Sequence, residues 1–266
     1  PFECVGTPEE VNAAIELAYA EISNNDLPEL LSRFKNSGDK KVFQKLMSTF
    51  NTENLLTVNF LKILMSDLKL PESKKFQLFI QTKFGANPDI VILGFGKEGQ
   101  SNYKLLRTCY PETEICIADK NPALINSDVL TRDPKLVFHL GNTYQEDLES
   151  YSYILKSPGV KLNGGLNNAY IYTQTDLFLE FFRNQTIGIT GTKGKSTTAS
   201  LIYQLLKESG KHSLILGNIG IPPFNMLEKI DRDTIVVYEM SAHQLEHVHH
   251  SPCIGVLLNV FPEHLD

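Results

Sequence analysis

Residues 190–197, TGTKGKST, decide the fold, with the apolar Ile187-Gly188-Ile189 before them and ASLIYQLLKESG after them. A short apolar strand, a glycine-rich turn and an amphipathic helix are the parts of a phosphate-binding loop. Glycines let backbone N–H groups turn inward around phosphate oxygens, and the helix N-terminus adds the positive end of its dipole. In that reading Gly191, Thr192, Lys193, Gly194, Lys195, Ser196 and Thr197 line the phosphates of a nucleoside triphosphate. Lys195 reaches the β- and γ-phosphates, and the Ser196 hydroxyl binds Mg2+. The strict pattern wants glycine where Ile189 stands, so only Gly194-Lys195-Ser196 keeps it. An ordinary Gly/Thr turn is the competing account. Strand, loop, Lys-Ser pair and helix arriving together favour a nucleoside triphosphate.

The stretches that follow aim more groups at the same place. Gly210 stops the loop helix, and SLILGNIG returns as a strand into Asn218, which by itself is also a common turn residue. TIVVYEM is β-branched and almost continuously apolar, hence a central parallel strand. It delivers Glu239 at its C-terminal end, where a carboxylate can bind the Mg2+ that also takes Ser196. The apolar IGVLLNV leads through a turn containing Pro262 to His264, again at a strand end. His243, His247, His249, His250 and Cys253 invite a zinc reading. His247 and His250 would share a helix face, but the other candidates point elsewhere, so a solvated helix end is the better account.

Upstream, the pattern becomes α/β at Asp89. IVILGFG is a buried strand entering Gly94-x-Gly96-x-x-Gly99, a helix follows through Tyr103, Leu105 and Leu106, and EICIAD is a second strand ending at Asp119. An acid about twenty residues after the glycines completes a dinucleotide-binding fingerprint, so an NAD site has to be weighed. The same turn serves any phosphate at a helix N-terminus. Strands over 136–140 and 151–155 continue the sheet and bring Ser157-Pro158-Gly159 to a strand end, as a ligand contact or a simple turn. AYIYTQTDLFLEFF supplies a last strand and helix, and Arg183-Asn184-Gln185 is the expected hinge into the next domain.

Residues 1–86 read as helices with no chemical constellation. Thr7-Pro8-Glu9-Glu10 forms a capping box before Val11, Ala14, Ile15, Ala18 and Ile22, and Phe60, Leu61, Leu64, Met65 and Leu68 recur at helical spacing up to Pro71. The expected organisation is a helical segment (1–86), a Rossmann-like domain (87–183) and part of a P-loop ATPase domain (184–266). The fold class is α/β.

A net charge of −6 and a pI near 5.7 give no electrostatic footprint for nucleic acid. No run is long and apolar enough to span a membrane. The scattered Cys4, Cys109, Cys116 and Cys253 suit a reducing, cytoplasmic setting better than a disulfide framework. Pro1 and Asp266 both look like cut ends.

TGTKGKST, followed by GNIGIPPF (217–224), YEMSAHQLE (238–246) and LLNVFPEHLD (257–266), resembles the Mur ligases. VILGFGKEG (91–99) and KSPGV (156–160) resemble the first domain of the members that add D-glutamate. The resemblance runs from about residue 88 to Asp266 and leaves the first third uncovered. It implies an ATP- and Mg2+-dependent ligase of peptidoglycan precursor synthesis, a monomer, joining D-glutamate to UDP-N-acetylmuramoyl-L-alanine through an acyl phosphate. It implies that the first domain holds UDP rather than NAD, with Gly96, Lys97, Glu98, Gly99, Asp119 and Ser157 toward the substrate. Asn218, Ser241 and Gln244 would touch it nearer the reacting end, Lys195 and His264 would be catalytic, and Ser196, Glu239 and His264 would bind metal. Lys97, Glu98, Lys120 and Asn121 depart from the family's usual residues. The family's carbamylated lysine would fall beyond Asp266, so this stretch alone is not expected to complete the amide bond. A Mur-type ligase for another amino acid, an NAD-binding oxidoreductase and a noncatalytic nucleotide-binding module are the alternatives.

Overall fold

The computed structural model describes residues 70–126, 130, 132–164 and 170–262. The chain divides into two compact units, Pro1–Asn87 and Pro88–Asp266. In the first, helix α1 (Glu72–Phe84) is entered through Pro71, whose carbonyl accepts from the N–H groups of Lys74 and Lys75. It is left at Gly85, where φ is 81°. The helices expected over 7–22 and 60–68 lie outside the described residues.

The second unit contains two sheets, every pairing in them parallel. Strand β1 (Ile90–Leu93) is buried at every position, as a strand covered on both faces must be. After it come α2 (Lys97–Cys109), β2 (Ile115–Asp119), β3 (Leu136–Leu140), β4 (Tyr153–Lys156), β5 (Tyr170–Thr173) and α3 (Gln174–Phe182). The strand order is β3-β2-β1-β4-β5, so the chain winds outward from β1 to β3 and then resumes on the other side of β1. The gap between the C-terminal ends of β1 and β4 is therefore the switch-point crevice where open α/β sheets bind ligands. Val91, Leu93, Cys116, Ala118, Leu148 and Ile154 form the core on one face.

The second sheet repeats the logic. Strand β6 (Thr186–Thr190) is followed by α4 (Lys195–Glu208), β7 (Ser213–Gly217), β8 (Ile235–Glu239), a single helical turn α5 (Ala242–Leu245) and β9 (Ile254–Leu257). The order β7-β8-β6-β9 puts its switch point between β6 and β9. Ile189, Ala199 and Val237 are its buried centre, with Ile202, Tyr203 and Leu206 of α4 packed on them. Helix α4 ends where Gly210 takes φ 71°: the Gly210 N–H bonds to the Lys207 carbonyl and the Lys211 N–H to that of Leu206. That is a Schellman stop. β8 is central, as its apolar run predicts, and carries the buried Tyr238 against α3. There the Tyr238 ring meets Phe178 edge-on at 5.5 Å, and its hydroxyl shares a 2.8 Å hydrogen bond with Thr175.

The Rossmann-like α/β class is the one observed. One local expectation fails. The helix expected to present His247 and His250 on one face stops at Leu245: Glu246 turns out of it with ψ 135°, and His247 takes φ 57°, outside the right-handed helix. The chain then turns so that the His249 and His250 N–H groups both donate to Asp176 Oδ1, at 2.6 and 3.0 Å. Asp176 is buried in the first turn of α3, and this contact holds the turned segment in place.

Candidate functional site

The stretch 190–197 forms the turn between β6 and α4. Gly191 and Gly194 take φ of 139° and 86°, which only glycine adopts without strain, and they swing the backbone around the start of the helix. The first-turn N–H groups of α4 have no partner within the helix, an arrangement that can cradle an anion. The Lys195 ammonium folds over it, donating to the carbonyls of Gly191 at 2.7 Å and Thr192 at 2.9 Å. Ser196 and Thr197 are exposed at the rim.

Glu239 closes the floor. It ends β8 beside Ile189 of β6, two residues before the loop glycine, and is 1% exposed. Oε1 accepts from Asn218 Nδ2 at 2.8 Å, and Asn218 N–H also bonds to the Glu239 carbonyl at 2.9 Å. Among the described residues Oε2 is buried without a partner. A buried carboxylate oxygen left unpaired is costly, and a divalent cation between it and the phosphates would satisfy it. The residues present thus fit Mg2+. His264, expected at the same metal, lies outside the described residues. Among the described residues no group of three or more His, Cys, Asp or Glu could hold a metal ion.

The glycine turn of the first sheet is braced by residues read from the sequence as ligand contacts. Ser157 Oγ donates to the Gly94 carbonyl at 2.7 Å. Asp119 accepts from Phe95 N–H at 2.6 Å through one oxygen and from Asn121 N–H at 2.8 Å through the other. Gly99 must be glycine, since a Cβ there would sit 2.1 Å from the Gly94 carbonyl oxygen. Gly96 and Lys97 are exposed at the mouth, and the Lys97 ammonium lies 3.9 Å from where a Cβ on Gly220 would stand. Lys97 therefore reaches across to the turn that carries Asn218.

Glu98, Ser241 and Gln244 come together. Ser241 and Gln244 make a reciprocal capping box on α5, and the Gln244 amide also donates to Glu98. Burial pushes the Glu98 carboxyl above its usual range, and the bond from Gln244 works against the rise. A second tie runs alongside: Lys156, at the end of β4 and 2% exposed, donates to Glu246 Oε2 at 2.9 Å. The bond from Lys156 holds the Glu246 carboxyl below its ordinary range. The turn after Glu239 is thereby pinned to the first sheet at two points.

Sequence reading missed Lys156, Glu246, Asp176 and Asn259. Asn259 follows an apolar strand, the same signal that singled out Glu239, and so was findable. The other three depend on partners 73 to 90 residues away, which no local pattern reveals.

Residues 189–266 match the family model of the Mur ligase middle domain. The UDP-N-acetylmuramoylalanine–D-glutamate ligase of Clostridium kluyveri is 38% identical over 133 residues, which is 48% of this chain and 29% of that protein. The enzyme of the same name from Clostridium botulinum is 35% identical over the same length and the same shares. The chain thus matches less than a third of the length of these relatives. The solved ligase for UDP-N-acetylmuramate and L-alanyl-gamma-D-glutamyl-meso-diaminopimelate from Neisseria meningitides overlays 68% of this chain and 63% of its own, at 18% identity and a TM-score of 0.40. In sequence the chain is similar to the Mur ligases, and over this region to members named for D-glutamate.

Proposed function

We propose that this Mur-ligase-like chain carries the nucleotide and UDP-substrate sites of an ATP-dependent ligase that adds D-glutamate to UDP-N-acetylmuramoyl-L-alanine. The observation that carries the reading is the unpaired, buried Oε2 of Glu239 beside a glycine loop at the N-terminus of α4. The chemistry is phosphoryl transfer followed by acyl transfer. The alanine carboxylate attacks the γ-phosphorus, the bond to ADP breaks, and the amine of D-glutamate then displaces phosphate from the acyl phosphate.

Two anions meet in the first step, so charge neutralisation is the main requirement. Lys195 supplies part of it by exchanging the Gly191 and Thr192 carbonyls for phosphate oxygens. Ser196 and Glu239, with His264, would hold Mg2+, which when bound screens the carboxylate from the γ-phosphate. Asn218, bonded to Glu239, keeps that carboxylate aimed and leaves its second oxygen free. The turn over 94–99 receives the UDP moiety at the first switch point. Lys97 spans from it toward Asn218, the direction in which a substrate bound in both crevices would lie.

The test is titration of the chain with ATP and Mg2+, in the wild type and in Lys195→Ala. Removing an ammonium that contacts phosphate costs about 2–3 kcal/mol, or roughly a hundredfold in affinity. Equal affinities would remove this loop as the nucleotide site. In the same samples, UDP-N-acetylmuramoyl-L-alanine should shift the amide NMR signals of 96–99 and NAD should not. The opposite pattern would favour the oxidoreductase reading.

A further inference from the structure

We infer that Asn259 is the positioning residue of the phosphate loop, selecting which backbone donors the loop offers to a phosphate. The inference rests on reading 190–197 as the nucleotide site. The parallel ladder between β6 and β9 continues past the strands: Leu258 N–H bonds to the Thr190 carbonyl and Thr192 N–H to the Asn259 carbonyl, each at 3.0 Å. Beyond that the side chain takes over. Asn259 Oδ1 accepts from Lys193 N–H at 2.9 Å, and Nδ2 donates to the Lys193 carbonyl at 3.0 Å. Thr192 Oγ1 accepts from Phe261 N–H at 2.9 Å and donates to the Phe261 carbonyl at 3.3 Å.

Both the Thr192 and the Lys193 N–H groups are thus turned toward β9 and spent there. The cradle left for an anion is made by the N–H groups of 194–197, at the start of α4. A carboxamide is suited to this task because it sets an acceptor and a donor side by side, matching the N–H and C=O of one residue. Aspartate keeps the acceptor and loses the donor, and alanine keeps neither. The same contact explains Gly191, where a Cβ would stand 3.1 Å from both the N and the O of Asn259. Without the clamp, the Lys193 peptide is free to rotate, and the loop must be reordered each time a nucleotide binds.

The experiment uses the whole chain and two readouts, calorimetric titration with ATP and Mg2+ and amide hydrogen exchange. Asn259→Ala is expected to bind ATP about tenfold more weakly, the effect of losing roughly one hydrogen-bond pair. Its Lys193 amide should exchange at least about tenfold faster while that of Val237, in the sheet centre, keeps its wild-type rate. ATP affinity within about twofold of wild type overturns the inference. Should alanine unfold the sheet, Asn259→Asp is read the same way. It should keep slow exchange at Lys193 and still bind ATP more weakly, because its carboxylate faces the Lys193 carbonyl; wild-type affinity there also overturns the inference. Lys195→Ala run alongside separates the failures. If Lys195→Ala binds normally, the nucleotide reading falls. If only the Asn259 variants bind normally, that reading stands and the positioning role falls.

Discussion

The two crevices of this chain are built to one plan and finished differently. In each sheet the founding strand, β1 or β6, runs into a glycine turn, and the strand on its far side supplies a side chain that grips the turn. In the first sheet that side chain is Ser157, whose hydroxyl bonds the Gly94 carbonyl, and in the second it is Asn259, whose amide bonds the Lys193 peptide. The first turn is closed from within: Asp119 holds its Phe95 N–H, and Gly99 presses against Gly94 with no room for a methyl group. The second is open within and held from its edge: a Cβ placed on Gly194 would meet the Leu258 side chain only at 3.6 Å. The closed turn presents a fixed surface. The open one, clamped at Thr192 and Lys193, leaves the N–H groups at the start of α4 to face an anion.

The sharpest way to break this contrast is a methyl group on each side. Gly99→Ala places a carbon 2.1 Å from a backbone oxygen that cannot move without lifting α2 from β1. It should cost about 4 kcal/mol or more in a denaturant titration. Next in size is the link between the crevices. Glu246→Gln leaves the buried Lys156 ammonium without its ion-pair partner, and about 3 kcal/mol should be lost at pH 7, the low end for a buried pair because Glu246 is half-solvated. The pH dependence has a definite sign. The Lys156 bond depresses the folded-state pKa of Glu246, so its contribution is complete above the ordinary value of 4.5 and disappears as pH falls through the lower folded value. Wild-type and variant unfolding curves should therefore converge in acid below 4.5 and separate above it. Smallest is Gly194→Ala, which meets no atom closer than 3.6 Å and pays only for its left-handed φ of 86°, about 1–2 kcal/mol. Equal costs for Gly99→Ala and Gly194→Ala would abolish the distinction between a closed and an open turn.

The same contrast sets how much was legible in advance. The β1–turn–α2 and β6–turn–α4 units, the central place of β8 and the arrival of Glu239 at a strand end all follow from local periodicity and glycine placement. The individual duties of side chains did not follow. Asp119 and Ser157, read as substrate contacts, spend hydrogen bonds bracing the turn. Glu98 and Gln244 bond each other across 146 residues of sequence, a relation set by how the two sheets meet. The histidine segment was misjudged because a helical spacing carries no sign of the turn at His247. What bends it is Asp176, which lies 73 and 74 residues earlier than the two N–H groups it receives. Patterns of one strand or helix are short-range. Pairings across the crevices belong to topology.

The position of β9 has a further consequence, for the order in which competence is acquired. The loop over 190–197 is made early in synthesis of the second sheet, yet its clamp, Asn259, is translated 66 residues after Lys193. β7 and β8 add to one side of the growing sheet first, and β9 reaches the other side of β6 after them. Contacts of such long sequence separation are entropically the hardest to close and stand late in assembly. A nascent chain that has formed β6, β7 and β8 therefore holds the glycines and the lysine but not the fixed loop. On the proposed nucleotide reading, tight binding therefore waits for β9, and a domain made only as far as β8 does not sequester ATP while it folds.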